Sequence, residues 1–128
     1  MLALRHALAA HYPRIATVDC VIAGKMPDVY RFMPGIDAVK DVETVTDLLE
    51  RYDVAISVDC GSADRLGPSR RYFDSAAISF NIDHHISNLN FGQVNYVEAH
   101  AGASGEVIAN ILDYLGLPLN RDIAICIY

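Results

Sequence analysis

An α/β fold built on a parallel sheet is predicted by three features of the chain. β-prone apolar segments alternate with segments of helical character. The apolar segments run continuously instead of alternating with polar residues, as strands covered on both faces do. Two of them end in chemically capable side chains, Asp59 in "VDCG" and Asp83-His84-His85 in "IDHH". In open parallel sheets ligands gather beyond the carboxyl ends of the strands, so these two tips are the first places to look for a site.

Each element follows from local composition. Met1–Tyr12 is rich in Ala and Leu and predicts a helix stopped by Pro13. Arg14–Val21 is a short β-prone run, and Val29–Pro34 reads as another, ended by Pro34 and Gly35. Asp41–Tyr52 reads as a helix, with acidic residues early and Arg51 late, as the helix dipole favours. Asp53–Gly61 is a strand, Ser69–Ser75 at most a short helix, and Ala76–Ile82 the strand that leads into "IDHH". Gln93–Glu98 predicts a short strand. Ser104–Gly116 predicts a helix in which Val107, Ile108, Ile111, Leu112 and Leu115 share a face, Ser104 caps and Gly116 terminates. A last helix starts at Asn120.

Composition narrows the function classes. The chain has 128 residues, about one domain, and 52% are apolar, which excludes a disordered chain. A formal net charge of −6 argues against general or duplex nucleic-acid binding, which needs a basic surface. It leaves room for a nucleotide substrate, because a bound divalent metal reverses the local sign of a site. The odd set Cys20, Cys60 and Cys126, without a CxxC pair or a visible signal peptide, predicts reduced thiols and a cytoplasmic protein. No apolar run reaches the roughly 20 residues of a membrane-spanning helix. Oligomeric state is not written in the sequence.

Asp59 closes a strand just before a turn containing Gly61, where a carboxylate can ligate a hard metal ion or simply cap the turn. Asp83 and His84 are adjacent. They point apart in a regular strand, but a turning strand end can bring them together. Imidazole is the commonest nitrogen ligand for transition metals, and a carboxylate beside it can orient the ring. Three polar loop residues with no such role are the plain alternative. His6 and His11 read as a solvated helix face, and Cys60 as a small buried residue.

Taken together, "VDCGSADRLG", "IDHH" and the following Asn88, Phe91 and Gly92 resemble the DHH phosphoesterase superfamily, in the branch of short-oligonucleotide exonucleases that also dephosphorylate 3′-phosphoadenosine 5′-phosphate. The resemblance spans roughly residues 54 to 128. It implies two Mn²⁺ ions, with Mg²⁺ as a substitute. Asp59 would be a bridging ligand and His84 a ligand to one ion. Asp83 would orient His84, His85 would face the substrate phosphate as a hydrogen-bond donor or proton donor, and Arg65 would contact phosphate. It implies as substrate a short oligonucleotide or nucleotide phosphate. Other members hydrolyse pyrophosphate, cyclic dinucleotides or single-stranded DNA. The family's first metal motif, His-x-x-x-Asp-x-Asp, would lie directly before Met1, and its fourth motif and C-terminal substrate domain after Tyr128. Residues 1–128 therefore read as a partial domain, incomplete at both ends. The expectation is an inactive piece of an enzyme or, failing that, a non-catalytic binding remnant.

Overall fold

A computed structural model describes residues 1–128, and the fold is α/β with parallel sheets. The elements in order are α1 (Leu2–His11), β1 (Cys20–Ile22), β2 (Val39–Asp41), β3 (Val54–Val58), α2 (Arg70–Ser75), β4 (Ile78–Asp83), β5 (Val94–Val97), α3 (Ser104–Tyr114) and α4 (Arg121–Ile127). Short 3-10 segments occur at Asp28–Tyr30, Ile36–Ala38 and Ala63–Ser69.

All pairing is parallel, but it is divided between two sheets. β1 pairs with β2, and β3, β4 and β5 form a second sheet in that order. The register sets Ser57 beside Asn81 and Asn81 beside Asn95, and on the alternate positions Val58 beside Ile82 and Ile82 beside Tyr96. Ile82 belongs to the main core with Ala3 and Ala7 of α1, Val107, Ile108 and Leu112 of α3, and Ile123 of α4, and half-buried Val58 packs against it. The small residues Ala3 and Ala7 let α1 approach closely, and Val107, Ile108 and Leu112 recur at the helical period that the sequence shows. Phe73 of α2 packs separately, against Phe91 with ring centroids 5.2 Å apart.

Only 19 of the 128 residues are buried, few for a chain that is 52% apolar. Part of the uncovered apolar surface lies at the free edge of β3, where Val54 and Ile56 are 46% and 40% exposed although the sequence reads as a covered strand. A cavity of about 510 Å³ lies beyond this edge, bordered by Val54–Val58 on one side and by Val21, Ile22 and Ala23 on the other. It is mostly apolar and reaches Asp59, Cys60 and Arg65 at one end.

Most predicted elements are present, and four expectations are corrected. Asp41–Tyr52 is not a helix: it begins as β2 and continues as turns. Val42, Thr44, Val45 and Thr46 are β-branched and poor helix formers. The Asp41 carboxylate also accepts the N–H groups of Gly24 and Glu43, tying this segment to the end of β1. Val29–Pro34 is not a strand either: Asp28–Tyr30 is a 3-10 turn, held by Asp28 to Arg31, with Val29 and Phe32 exposed. Ser104 does not cap α3. Ala103 holds the cap position and Ser104 is the first helical residue. His6 is not simply solvated, because its Nε2–H donates to the Pro34 carbonyl at 2.9 Å. Asn120 does cap α4, accepting the Ile123 N–H at 2.9 Å, and Gly116 ends α3 with φ +67°.

Candidate metal centre

β3 and β4 end side by side, and their tips carry the site. Asp59 follows β3 directly. Its N–H still donates to the Ile82 carbonyl of β4 at 3.0 Å, but its φ is +62°. A left-handed backbone at a non-glycine residue costs roughly 1–2 kcal/mol, least for Asp and Asn. The chain therefore swings off the strand at this point, and the Asp59 side chain is presented at the sheet end instead of along its face.

Asp59, His84 and His85 converge so that one ligand atom from each lies within 4.8 Å of the others. The Oδ1 of Asp59 is 3.5 Å from His84 Nε2 and 3.9 Å from His85 Nδ1, too long for good hydrogen bonds. His84 Nδ1 lies 3.2 Å from the Ala101 carbonyl. A carbonyl only accepts, so Nδ1 carries the proton, and in the neutral ring Nε2 presents its lone pair toward Asp59. The two imidazoles stand with centroids 4.7 Å apart.

Asp83 is fully buried and pairs with His85, whose Nδ1–H donates to Oδ1 at 2.7 Å. Burial alone would push this carboxyl up. Hydrogen bonds from His85, Asn88 and the backbone N–H groups of His84 and His85 overcome that and hold it below the ordinary carboxylate value. The pairing differs from the expected one: Asp83 orients His85, and it is the Ala101 carbonyl that orients His84. Arg65 is exposed, lines the same cavity as Asp59 and makes no ion pair, so the structure does not join it to the cluster.

Three residues make contacts at the site that the sequence did not assign to them: Ser104 was read as a helix cap, Asn88 only as part of the motif after "IDHH", and Asn81 not at all. Ser104 donates its hydroxyl to Asp59 Oδ1 at 2.7 Å, across 45 residues of sequence. Asn81, completely buried in β4, and Asn88, in the loop after His85, both donate their amides to the Cys60 carbonyl, at 3.0 and 3.2 Å. Asn is depleted from strands, so an asparagine within "AAISFNI" was a signal that could have been followed.

The donor chemistry fits a divalent metal. One carboxylate oxygen and two imidazoles make the mixed nitrogen and oxygen set that first-row divalent ions accept. His85 gives its Nδ1–H to Asp83, which leaves the Asp59 carboxylate and His84 Nε2 free to face an ion, with His85 beside them.

No family model matches the chain. Among solved structures it is similar to an exopolyphosphatase-related protein from Bacteroides fragilis, with a TM-score of 0.73 and 18% sequence identity. The match covers 90% of this chain and 34% of the other, so the chain spans about a third of that protein's length. At that identity the likeness shows a shared α/β fold.

Proposed function

We propose that these residues form part of the active centre of a metal-dependent phosphoesterase, a DHH-type hydrolase acting on short oligoribonucleotides or on nucleotide phosphates such as 3′-phosphoadenosine 5′-phosphate. The observation that carries this reading is the convergence of Asp59, His84 and His85 beyond the ends of two adjacent parallel strands. A fold shared with an exopolyphosphatase-related protein supports phosphorus chemistry, and the resemblance of "IDHH" supports the substrate class.

Asp59 and the free Nε2 of His84 would hold a divalent ion, Mn²⁺ or Mg²⁺. Such an ion supplies an activated water and positive charge against phosphate oxygens in ester hydrolysis. The remaining roles belong to the chain itself. Asp83 fixes His85 in one tautomer by taking the Nδ1–H, which leaves His85 Nε2 free to exchange a proton with a phosphate or leaving oxygen. Arg65, an exposed cation lining the neighbouring cavity, would contact the substrate phosphate. Ser104 holds the Asp59 carboxylate in place.

The chain spans about a third of the length of its structural neighbour, so the activity belongs to the gene product that carries these residues. The gene product carrying these residues, assayed with Mn²⁺ on diribonucleotides and 3′-phosphoadenosine 5′-phosphate, is expected to release mononucleotides or inorganic phosphate. His85→Ala should lower kcat by about 100-fold, the low end of what a general acid contributes. Activity confined to pyrophosphate, cyclic dinucleotides or single-stranded DNA would move the substrate assignment. A folded product with no activity on any phosphoester would end the catalytic reading. The small donor set favours one second reading, a binding remnant without hydrolysis, which predicts Mn²⁺ binding in that same inactive sample.

A further inference from the structure

Asp59 carries the strained backbone of the site, and something must hold it there. No glycine relieves the φ of +62°, and the next residue, Cys60, has its carbonyl turned back under β4 instead of out to solvent. That carbonyl accepts two side-chain amides, from Asn81 at 3.0 Å and from Asn88 at 3.2 Å. Asn81 is fully buried in the middle of β4 and its Oδ1 has no partner, so it has been placed in the core to make this donation alone.

Asn88 does more. Its amide orientation is fixed by chemistry, because Oδ1 accepts the Asn90 N–H at 2.7 Å and the NH₂ faces two oxygens. One of them is the Cys60 carbonyl, and the other is Asp83 Oδ2 at 2.5 Å. Asp83 uses its other oxygen to orient His85. The Leu89 N–H donates in turn to the Gly61 carbonyl at 2.9 Å, so the loop after the histidines and the turn after Asp59 are stitched together at two successive residues. A single amide thus links the backbone that presents Asp59 to the carboxylate that sets His85.

We propose that Asn88 and Asn81 are positioning residues for the metal centre. Their amides clamp the Cys60 carbonyl and so hold Asp59 in the left-handed conformation from which its carboxylate faces His84. This rests on the metal reading for its purpose, but the clamp itself is a statement about the Asp59 backbone.

The test uses the gene product carrying these residues, labelled with ¹⁵N, as wild type, Asn88→Ala, Asn81→Ala and a control, Asn95→Ala. Asn95 makes a comparable pair of hydrogen bonds to Gly92 but does not touch Cys60, so it reports the effect of loosening the loop alone. The three-bond coupling between the amide and α protons of Asp59 reads φ, and Mn²⁺ affinity is read by calorimetry. In Asn88→Ala the Asp59 coupling is expected to move to the larger value of extended backbone and Mn²⁺ affinity to fall about ten-fold, the range for residues that orient ligands. Asn95→Ala should lower the melting temperature with neither change. Should Asn88→Ala fail to fold, Asn81→Ala gives the same comparison. An Asp59 coupling unchanged in both clamp variants overturns the proposal. A wild-type chain that binds no Mn²⁺ sinks the metal reading separately, while the Asp59 coupling still decides the clamp.

Discussion

At the scale of single residues, the site rests on what each side chain is left free to do. Asp59 keeps one oxygen for Ser104 and so enters the site as an ordered carboxylate. Ser104→Ala removes that hydrogen bond and is expected to cost about 1 kcal/mol of stability, measured by urea unfolding, and to weaken Mn²⁺ binding, since Asp59 is then free to rotate. His84→Ala should abolish Mn²⁺ binding and leave the fold intact, because its ring is partly exposed and makes one hydrogen bond. Asp59, His84 and His85 were legible in the sequence because strand ends in parallel sheets are where such groups work. Their partners were not. Ser104 lies 45 residues from Asp59, and the Ala101 carbonyl that orients His84 is a backbone atom with no sequence signature.

Among the elements, contacts outside a segment decided the cases where local composition misled. The charge pattern of residues 41–52 suits a helix, yet the Asp41 side chain spends itself on the N–H groups of Gly24 and Glu43, and β2 pairs with β1. Tyr52, at the end of this segment, donates to Asp19 Oδ2 at 2.6 Å, and Lys40 bridges Asp19 and Asp47 at 3.0 Å each, so the β1–β2 sheet is fastened to the start of β3 through a polar network. The Tyr52 hydroxyl is pushed up to about 12, by burial first and then by the Asp19 hydrogen bond. A tyrosine kept neutral by the fold contributes its stability in full below its unfolded value of about 10, and that contribution disappears as pH rises through the folded value. The urea midpoint is therefore expected to fall between about pH 10 and 12, and to fall less steeply in Tyr52→Phe. In the loop before β5, a Cβ on Gly92 would sit 2.8 Å from both the Asn81 nitrogen and the Val94 oxygen. These are backbone atoms that cannot step aside, so Gly92→Ala should destabilise by about 1–3 kcal/mol, the usual cost of overpacking.

Across the whole molecule, the α/β class and the parallel pairing follow directly from the order of apolar and helical segments, while the division into two sheets does not. Strand order is a long-range property, and β1 and β3 read as strands of the same kind whether or not they are neighbours. The separation has a visible consequence in the 510 Å³ apolar cavity between them and in the exposed edge residues Val54 and Ile56. Of the clustered residues Asp59, His84 and His85, only Asp59, at the tip of β3, lines that cavity. The most direct measurement is a Mn²⁺ titration of the ¹⁵N-labelled chain, following paramagnetic broadening residue by residue. Broadening that starts at Asp59, His84, His85 and Ser104 and is lost in His84→Ala is the expected result. Broadening spread over exposed carboxylates such as Asp28, Asp64 and Asp74, and unchanged in His84→Ala, would contradict a metal centre at the strand ends.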